Sequence, residues 1–178
     1  MRNSEARFGF LRRAECIRDE NRSMAIKAIS LKQPWATLVI LGAKMYETRS
    51  WNTSHRGVMA IHASRTFSDE TARLCLHEPF RSVLRGAGYR SGWDLPRGVV
   101  LGTVELVEVC ATAELDPRTL SATELAFGNF RSRRFAFQLA NPRKWDPPVP
   151  MPGQLNIYDI DLTNHRDTER SNAEQNRY

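Results

Sequence analysis

The apolar positions fall in short periodic runs separated by glycine, proline and clustered polar residues. Residues 25–31 alternate Ile26, Ala28 and, loosely, Leu31, the period of a half-buried strand. Pro34 stands where the first turn of a helix accepts a proline. Residues 35–41 then form an almost unbroken apolar run, and Gly42 stops it. Residues 44–51 read as extended, 52–57 as a turn and 58–63 as a second core strand. Ser68 caps a helix predicted to run to about His77, with Asp69 and Glu70 in the first turn, where acids are favoured. Residues 79–86 make a further short helix, and Leu95-Pro96-Arg97-Gly98 a turn. Residues 99–109 form a long strand in which Gly102 marks a bulge or a close backbone approach. Residues 121–127 read as helical and 134–139 as a strand. A proline-rich crossing (Pro142, Pro147, Pro148, Pro150, Pro152) precedes a last strand over 154–162.

Five or six short strands with small helices between them, and no βαβ rhythm, predict an α+β fold built on a compact mixed barrel rather than a doubly wound sheet. The folded domain is expected over residues 24–163. Residues 1–23 carry six arginines and four acids and read as a flexible basic extension. They lack an apolar secretory core, and Met24 stands as a possible natural start. Residues 164–178, with three arginines and three acids, read as a disordered polar tail.

Composition narrows the function classes. The 178 residues and 41% apolar content suit one globular domain. The longest apolar run is about half the ~20 residues of a membrane span, so a cytoplasmic, membrane-free protein is expected, and it is read as a monomer. Cys16, Cys75 and Cys110 are too scattered for a disulfide framework or a zinc site, and no metal or other cofactor is expected. The net charge is +6, and arginine dominates it, with 22 Arg against four Lys. Arginine grips phosphate bidentately and stacks on bases, so nucleic acid becomes a candidate partner. GC-rich coding would produce the same bias. Arg131, Arg133 and Arg134 form the densest basic cluster, which alone reads as a solvated loop beside a strand. The chain contains no GxGxxG, Walker, HExxH or GxSxG motif.

The stretch from Gly42 to Trp51 carries the most chemistry. On an extended chain Glu47, Arg49 and Trp51 share one face, and Lys44 joins them only if the backbone turns or bulges just after Gly42. A half-buried Lys–Glu–Arg cluster leaves residual positive charge for an anion or a polar base edge. A desolvated lysine also loses its proton more readily, which suits base or nucleophile work. A salt-bridged edge strand explains the same spacing.

Gly42-x-Lys44-x-x-Glu47-x-Arg49 resembles the GxKxxExR signature of ASCH domains. The flanks are similar too: Ser30-Leu31-x-Gln33-Pro34-Trp35-Ala36, Arg56-Gly57, Ile61-His62-Ala63-Ser64, Gly98-Val99-Val100-Leu101-Gly102, Asn141-Pro142-Arg143 and Gly153-Gln154-Leu155. Together they cover roughly residues 26–161. The resemblance implies a PUA-like fold, a small mixed β-barrel with short helices across it and a cleft lined by the signature residues. It also implies binding of RNA, of single-stranded nucleic acid or of a modified nucleoside. Family members have been tied to ribonuclease activity and to hydrolysis of acetylated cytidine nucleosides. The amidohydrolase branch carries a nucleophilic threonine where this chain has Glu47, and Thr48 should point away from the cleft.

Two functions follow as expectations. In a binding module, Lys44 and Arg49 meet phosphate or carbonyl oxygens, Glu47 accepts from a base amino group, and Trp51 stacks. Gln33 and Ser64 add polar contacts in that reading. In a metal-independent hydrolase acting on RNA or on N4-acetylcytidine, Lys44 is base, Glu47 holds it or steers water, and His62 or Tyr46 is acid. A lone histidine such as His62 is more often a hydrogen-bonded structural residue than a catalytic one. Trp35 is expected in the core, and Trp93 and Trp145 at the rim of the cleft. An interaction module in a larger complex is the weakest reading.

Overall fold

The computed structural model describes residues 25–162, so the expectations for residues 1–23 and 164–178 lie outside the described residues. Residues 26–160 form one compact unit. It is built around a six-stranded sheet. Its strands are β1 (Ala25–Leu31), β2 (Tyr46–Arg49), β3 (Gly57–Ala63), β4 (Val99–Ala111), β5 (Phe135–Pro150) and β6 (Ile157–Asp161). The helices are α1 (Trp35–Ile40), α2 (Asp69–Leu74), α3 (Phe80–Gly86) and α4 (Ala122–Phe127), with short 3-10 turns at Gly92–Asp94 and Pro117–Thr119. The sheet order is β2-β5-β4-β3-β1-β6. β1 and β3 run parallel, while β3–β4, β4–β5 and β2–β5 are antiparallel. A parallel pair needs a crossover connection, and α1 supplies it.

This is the expected α+β class. Within it the backbone ladder does not close into a complete ring, since β2 and β6 are its two ends. The seam is bridged by a side chain instead: Arg49 Nη2, from the end of β2, donates to the Ser30 carbonyl of β1 at 2.9 Å.

Helix α1 is apolar but for Thr37, and every residue in it except Trp35 is buried. Ala36, Val39 and Ile40 join Ile29, Met59, Ile61, Val104, Leu106 and Phe137 in a core against the sheet. Leu38 turns the other way, into a second cluster with Cys75, Phe80, Leu84, Leu95 and Phe127. Trp35 packs at the edge of that second cluster, its ring edge-on to Phe80 at 6.4 Å. Each fully buried Leu, Val or Ile contributes about 1.5–3 kcal/mol, so α1 is the element on which both clusters depend. Gln33 anchors its start: Oε1 accepts the Thr37 N–H at 3.1 Å and Nε2 donates to the Pro96 carbonyl at 2.6 Å.

Two predicted elements differ from those observed. The proline-rich crossing is no loop, because β5 continues through it for 16 residues. Beyond Gln138 the strand no longer pairs with β2, so its second half has only β4 beside it, and an edge tolerates residues without an N–H. The predicted helix to His77 stops at Leu74. The Ser68 cap forms, its hydroxyl accepting the Thr71 N–H at 3.2 Å, and Ser121, read as the first helical residue, caps α4 instead, accepting the Glu124 N–H at 3.0 Å.

Gly102 is both bulge and close approach. The β4–β5 register slips beside it, its φ is +151°, and a Cβ there would lie 2.1 Å from the Arg143 carbonyl oxygen. Gly102→Ala should therefore cost about 3 kcal/mol or more in urea denaturation. Gly86→Ala, with open space around it, should leave stability unchanged or raise it by up to about 1 kcal/mol. Equal small effects of the two substitutions would contradict this account of the β4–β5 contact.

Candidate functional site

The site begins where α1 ends. Gly42 adopts φ +73°, and the Leu38 carbonyl accepts the N–H groups of both Ala43 and Lys44 at 3.0 Å and 3.1 Å. This turn throws Lys44 inward to 1% exposure, and the parity problem of the extended chain is resolved by the turn. Lys44 Nζ donates to the Tyr46 carbonyl and lies 3.7 Å from Glu47 Oε2 and 4.0 Å from Glu124 Oε1. Burial lowers its pKa from the ordinary lysine value. Glu47 and then Glu124 oppose that shift, and Arg49 adds slightly to it.

Glu124 was not singled out by the sequence. Ser121 and Glu124 spell the S-x-x-E of a capping box, which predicts a carboxylate folded back on its own helix. The carboxylate instead accepts the Met45 and Tyr46 N–H groups at 2.7 Å and 3.0 Å, fixing the start of β2 from α4. It is buried, which no local pattern of the sequence announces.

From Lys44 the charges alternate outward. Glu47 Oε1 stands 3.2 Å from Arg49 Nε. That nitrogen has no hydrogen-bond partner among the described residues, so the contact is an ion pair out of line with the N–H. Arg49 is thus held between Glu47 on its own strand and the Ser30 carbonyl across the seam. Its guanidinium also sits 5.9 Å from the centre of the Trp51 ring. Trp51, half-buried, meets the core ring of Phe137 edge-on at 5.2 Å.

These residues face a cleft of about 430 Å³ whose walls include Ser30, Lys32, Trp35, Glu47, Arg49, Trp51, Ser64, Arg134 and Gln154. Arg134, from the cluster read as a solvated loop, enters it with Nη2 donating to the Thr48 carbonyl at 2.9 Å. Thr48, expected to point away, also lines the cleft, and its hydroxyl accepts the Asn129 N–H at 3.2 Å. Lys44 is not among the lining residues and lies beneath Glu47.

The remaining sequence candidates are placed unevenly. Ser64 lines the cleft and a second chamber of about 410 Å³, which shares Ser30, Gln154 and Leu155 with it. His62 opens on that second chamber only, at 2% exposure. Its Nε2 lies 3.0 Å from the Met151 carbonyl, which can only accept, so Nε2 carries the proton. In the neutral ring Nδ1 then accepts from Ser30 Oγ at 3.1 Å, and Ser30 in turn accepts from the Tyr158 hydroxyl at 3.1 Å. Gly153 lies directly over this chain: a Cβ there would be 2.4 Å from His62 Cε1. Tyr46, one residue before Glu47, has the opposite strand parity. Its ring lies 6.5 Å from Phe130, edge-on, and burial raises its pKa. Gln33 is fully buried with both ends of its amide engaged and does not line the cleft. A third cavity, about 260 Å³ and lined by Ile40, Leu41, Tyr89, Leu101 and Lys144, holds none of the candidates. Among the described residues no group of three or more His, Cys, Asp or Glu is placed to hold a metal ion, and no helix is long and apolar enough to cross a membrane.

Comparison with known proteins adds to this geometry. A family model described as ASCH domain matches residues 29–149. The chain is 28% identical over 151 residues to activating signal cointegrator 1 of Mus musculus, and 28% identical over 149 residues to that of Homo sapiens. Each match covers 84% of this chain and 25% of the relative, so the chain spans about a quarter of those proteins. Among solved structures, ASCH from Zymomonas mobilis superposes with a TM-score of 0.47 at 15% identity, covering 80% of this chain and 93% of that one. A mutant form of the same protein gives 0.47 and 15% over 81% and 96%.

Burial lowers the His62 pKa, with the Met151 hydrogen bond opposing the shift and the Arg65 charge adding to it. The stability gained by keeping this ring neutral is whole above the ordinary imidazole value. It is lost as pH falls through the lower folded value. The melting temperature should therefore drop between about pH 7 and about pH 5. His62→Gln, which keeps a donor for Met151 but does not titrate, should drop less. Equal slopes for the two proteins would rule out this role for His62.

Proposed function

Because the chain belongs to the ASCH domain family, a family generally linked to RNA binding, we propose that the cleft binds RNA or a modified nucleoside. The observation that carries this reading is the fixed position of Arg49. A guanidinium held by Glu47 on one side and the Ser30 carbonyl on the other is pre-organised, so little conformational entropy is lost when it meets a phosphate or a base carbonyl. Lys32 and Arg134 add two cations along the same wall, against one carboxylate, Glu47. Trp51 offers a ring for stacking, although part of it is spent on Phe137. Ser64 supplies a hydroxyl at the border of the two chambers.

In this reading Lys44 is a positioning residue. At 1% exposure its ammonium reaches a ligand only through Glu47, whose carboxylate it and Arg49 share. Glu47 keeps its second role as acceptor for a base amino group. Cytoplasmic location and a monomeric state belong to the same proposal.

The second reading is a metal-independent hydrolase acting on RNA or on N4-acetylcytidine. The observation in its favour is the burial that eases proton loss from Lys44. That advantage is offset by the two carboxylates that retain the proton and by the absence of an open face at Nζ. His62 and Tyr46, its candidate acids, face the second chamber and the opposite side of β2. We therefore place binding ahead of cleavage.

Titrating a labelled single-stranded RNA at increasing salt tests the proposal. Wild-type affinity should fall linearly on a log–log plot. Arg49→Ala should weaken binding about tenfold and flatten the slope by about 0.7, the loss of one phosphate contact. Unchanged affinity in Arg49→Ala would refute the binding reading. Turnover of RNA or N4-acetylcytidine that disappears in Lys44→Ala would favour the hydrolase.

A further inference from the structure

Beyond the cleft, an exposed tryptophan carries one arginine over its ring, and a second arginine crosses the glycine that follows the first. Trp93 is 50% exposed, an unusual state for the largest apolar side chain. Its ring meets Phe67 edge-on at 5.0 Å, and the Arg97 guanidinium lies over both rings, 5.1 Å from Phe67 and 5.3 Å from Trp93. Arg97 Nη2 donates to the Trp93 carbonyl at 3.5 Å, and Nη1 is buried with no hydrogen-bond partner among the described residues. The next residue, Gly98, is crossed by the side chain of Arg65, whose Cγ and Nε would lie 2.7 Å from a Cβ there. Arg65 is itself exposed and lines the second chamber. That chamber meets the cleft at Ser64 and Gln154.

The platform is held rigidly. Ser91 Oγ accepts the Trp93 N–H at 3.1 Å, and the Asp94 carboxylate is turned into its own loop, accepting the Arg90 and Ser91 N–H groups at 3.0 Å and 2.8 Å. Gly92 is packed so closely that a Cβ would stand 3.0 Å from both Cys75 Sγ and Phe67 Cζ. The nearest acid in sequence is thus occupied, and the backbone that carries the indole is fixed by these bonds.

We propose that Trp93, Arg97 and Arg65 form a second subsite for single-stranded nucleic acid, reached from the cleft through the chamber beside Ser64. A base stacks on the free part of the Trp93 ring, and the two guanidinium groups meet the phosphates that lead to it. Every base has a π-face and every link has a phosphate, so this subsite reads strand length rather than sequence. The proposal rests on the binding reading of the cleft and specifies its substrate class: a strand of several nucleotides, not a lone nucleoside.

Fluorescence anisotropy with labelled oligonucleotides of about one, four and nine nucleotides tests this, using full-length protein and parallel RNA and DNA series. Wild-type affinity should rise with length. Trp93→Ala should weaken the longest strand by roughly 5- to 150-fold and leave the single nucleotide unaffected, and Arg97→Ala should act in the same direction. Trp93→Phe, which keeps a ring, should retain most of the affinity and guards against loss by misfolding. A DNA series matching the RNA series fits a subsite that reads stacking and phosphate. RNA binding that no longer depends on length in Trp93→Ala fits equally. If wild-type binding is independent of length, or if Trp93→Ala and Arg97→Ala bind the longest strand as tightly as wild type while Arg49→Ala does not, the second subsite is wrong and the cleft reading stands. The patch then fits a protein partner better. Failure of wild type to bind any probe would overturn the cleft reading itself.

Discussion

The burial of one ammonium group governs the architecture of the site. Removing a charge from water costs several kcal/mol unless carboxylates and hydrogen bonds replace the solvent. Lys44, at 1% exposure, receives the Tyr46 carbonyl, Glu47 and Glu124 in return. Those three groups come from β2 and α4, so satisfying the lysine also fixes the strand that carries Arg49 and the helix that pins its first N–H groups. The turn at Gly42, φ +73°, is the backbone condition for it. Helix α1, packed on the sheet with one face and on the smaller helices with the other, holds that turn in place.

From this centre the charge is handed outward. Lys44 and Arg49 share Glu47, and Arg49 spans to Ser30 where the backbone ladder leaves a seam. A fully paired network would be inert. Here the pairing stops at Arg49, half-buried at the wall of the cleft, with Arg134 and Lys32 along the same wall. The chemistry favours recognition because Lys44, whose pKa burial lowers, does not line the cleft. His62 follows the same logic in the adjoining chamber: its ring is spent on a directed chain from Tyr158 through Ser30 to Met151, and Gly153 closes over it.

Much of this was legible along the chain, and the limits have physical causes. Strand alternation placed Glu47, Arg49 and Trp51 together, and the stop at Gly42 marked the turn that lets Lys44 join them. Ser68 capped the helix it was expected to cap. Glu124 was hidden because its partners lie nearly eighty residues away and its local pattern predicts a different hydrogen bond. Gln33, polar beside the signature, was expected at the ligand. Its amide is instead consumed by Thr37 and Pro96, a pairing that no local pattern encodes. The prolines of β5 signalled a loop because proline in a central strand is forbidden. Only the sheet order reveals that this stretch is an edge.

A double-mutant cycle on Lys44→Met and Glu47→Gln, read by urea denaturation, tests most directly whether the buried ammonium organises the site. Each single change should destabilise the protein, Lys44→Met by about 2–4 kcal/mol. The double variant should lose less than the sum by about 1 kcal/mol or more, since the second change removes a partner already stranded by the first. Strict additivity, or a Lys44→Met protein as stable as wild type, would contradict the account.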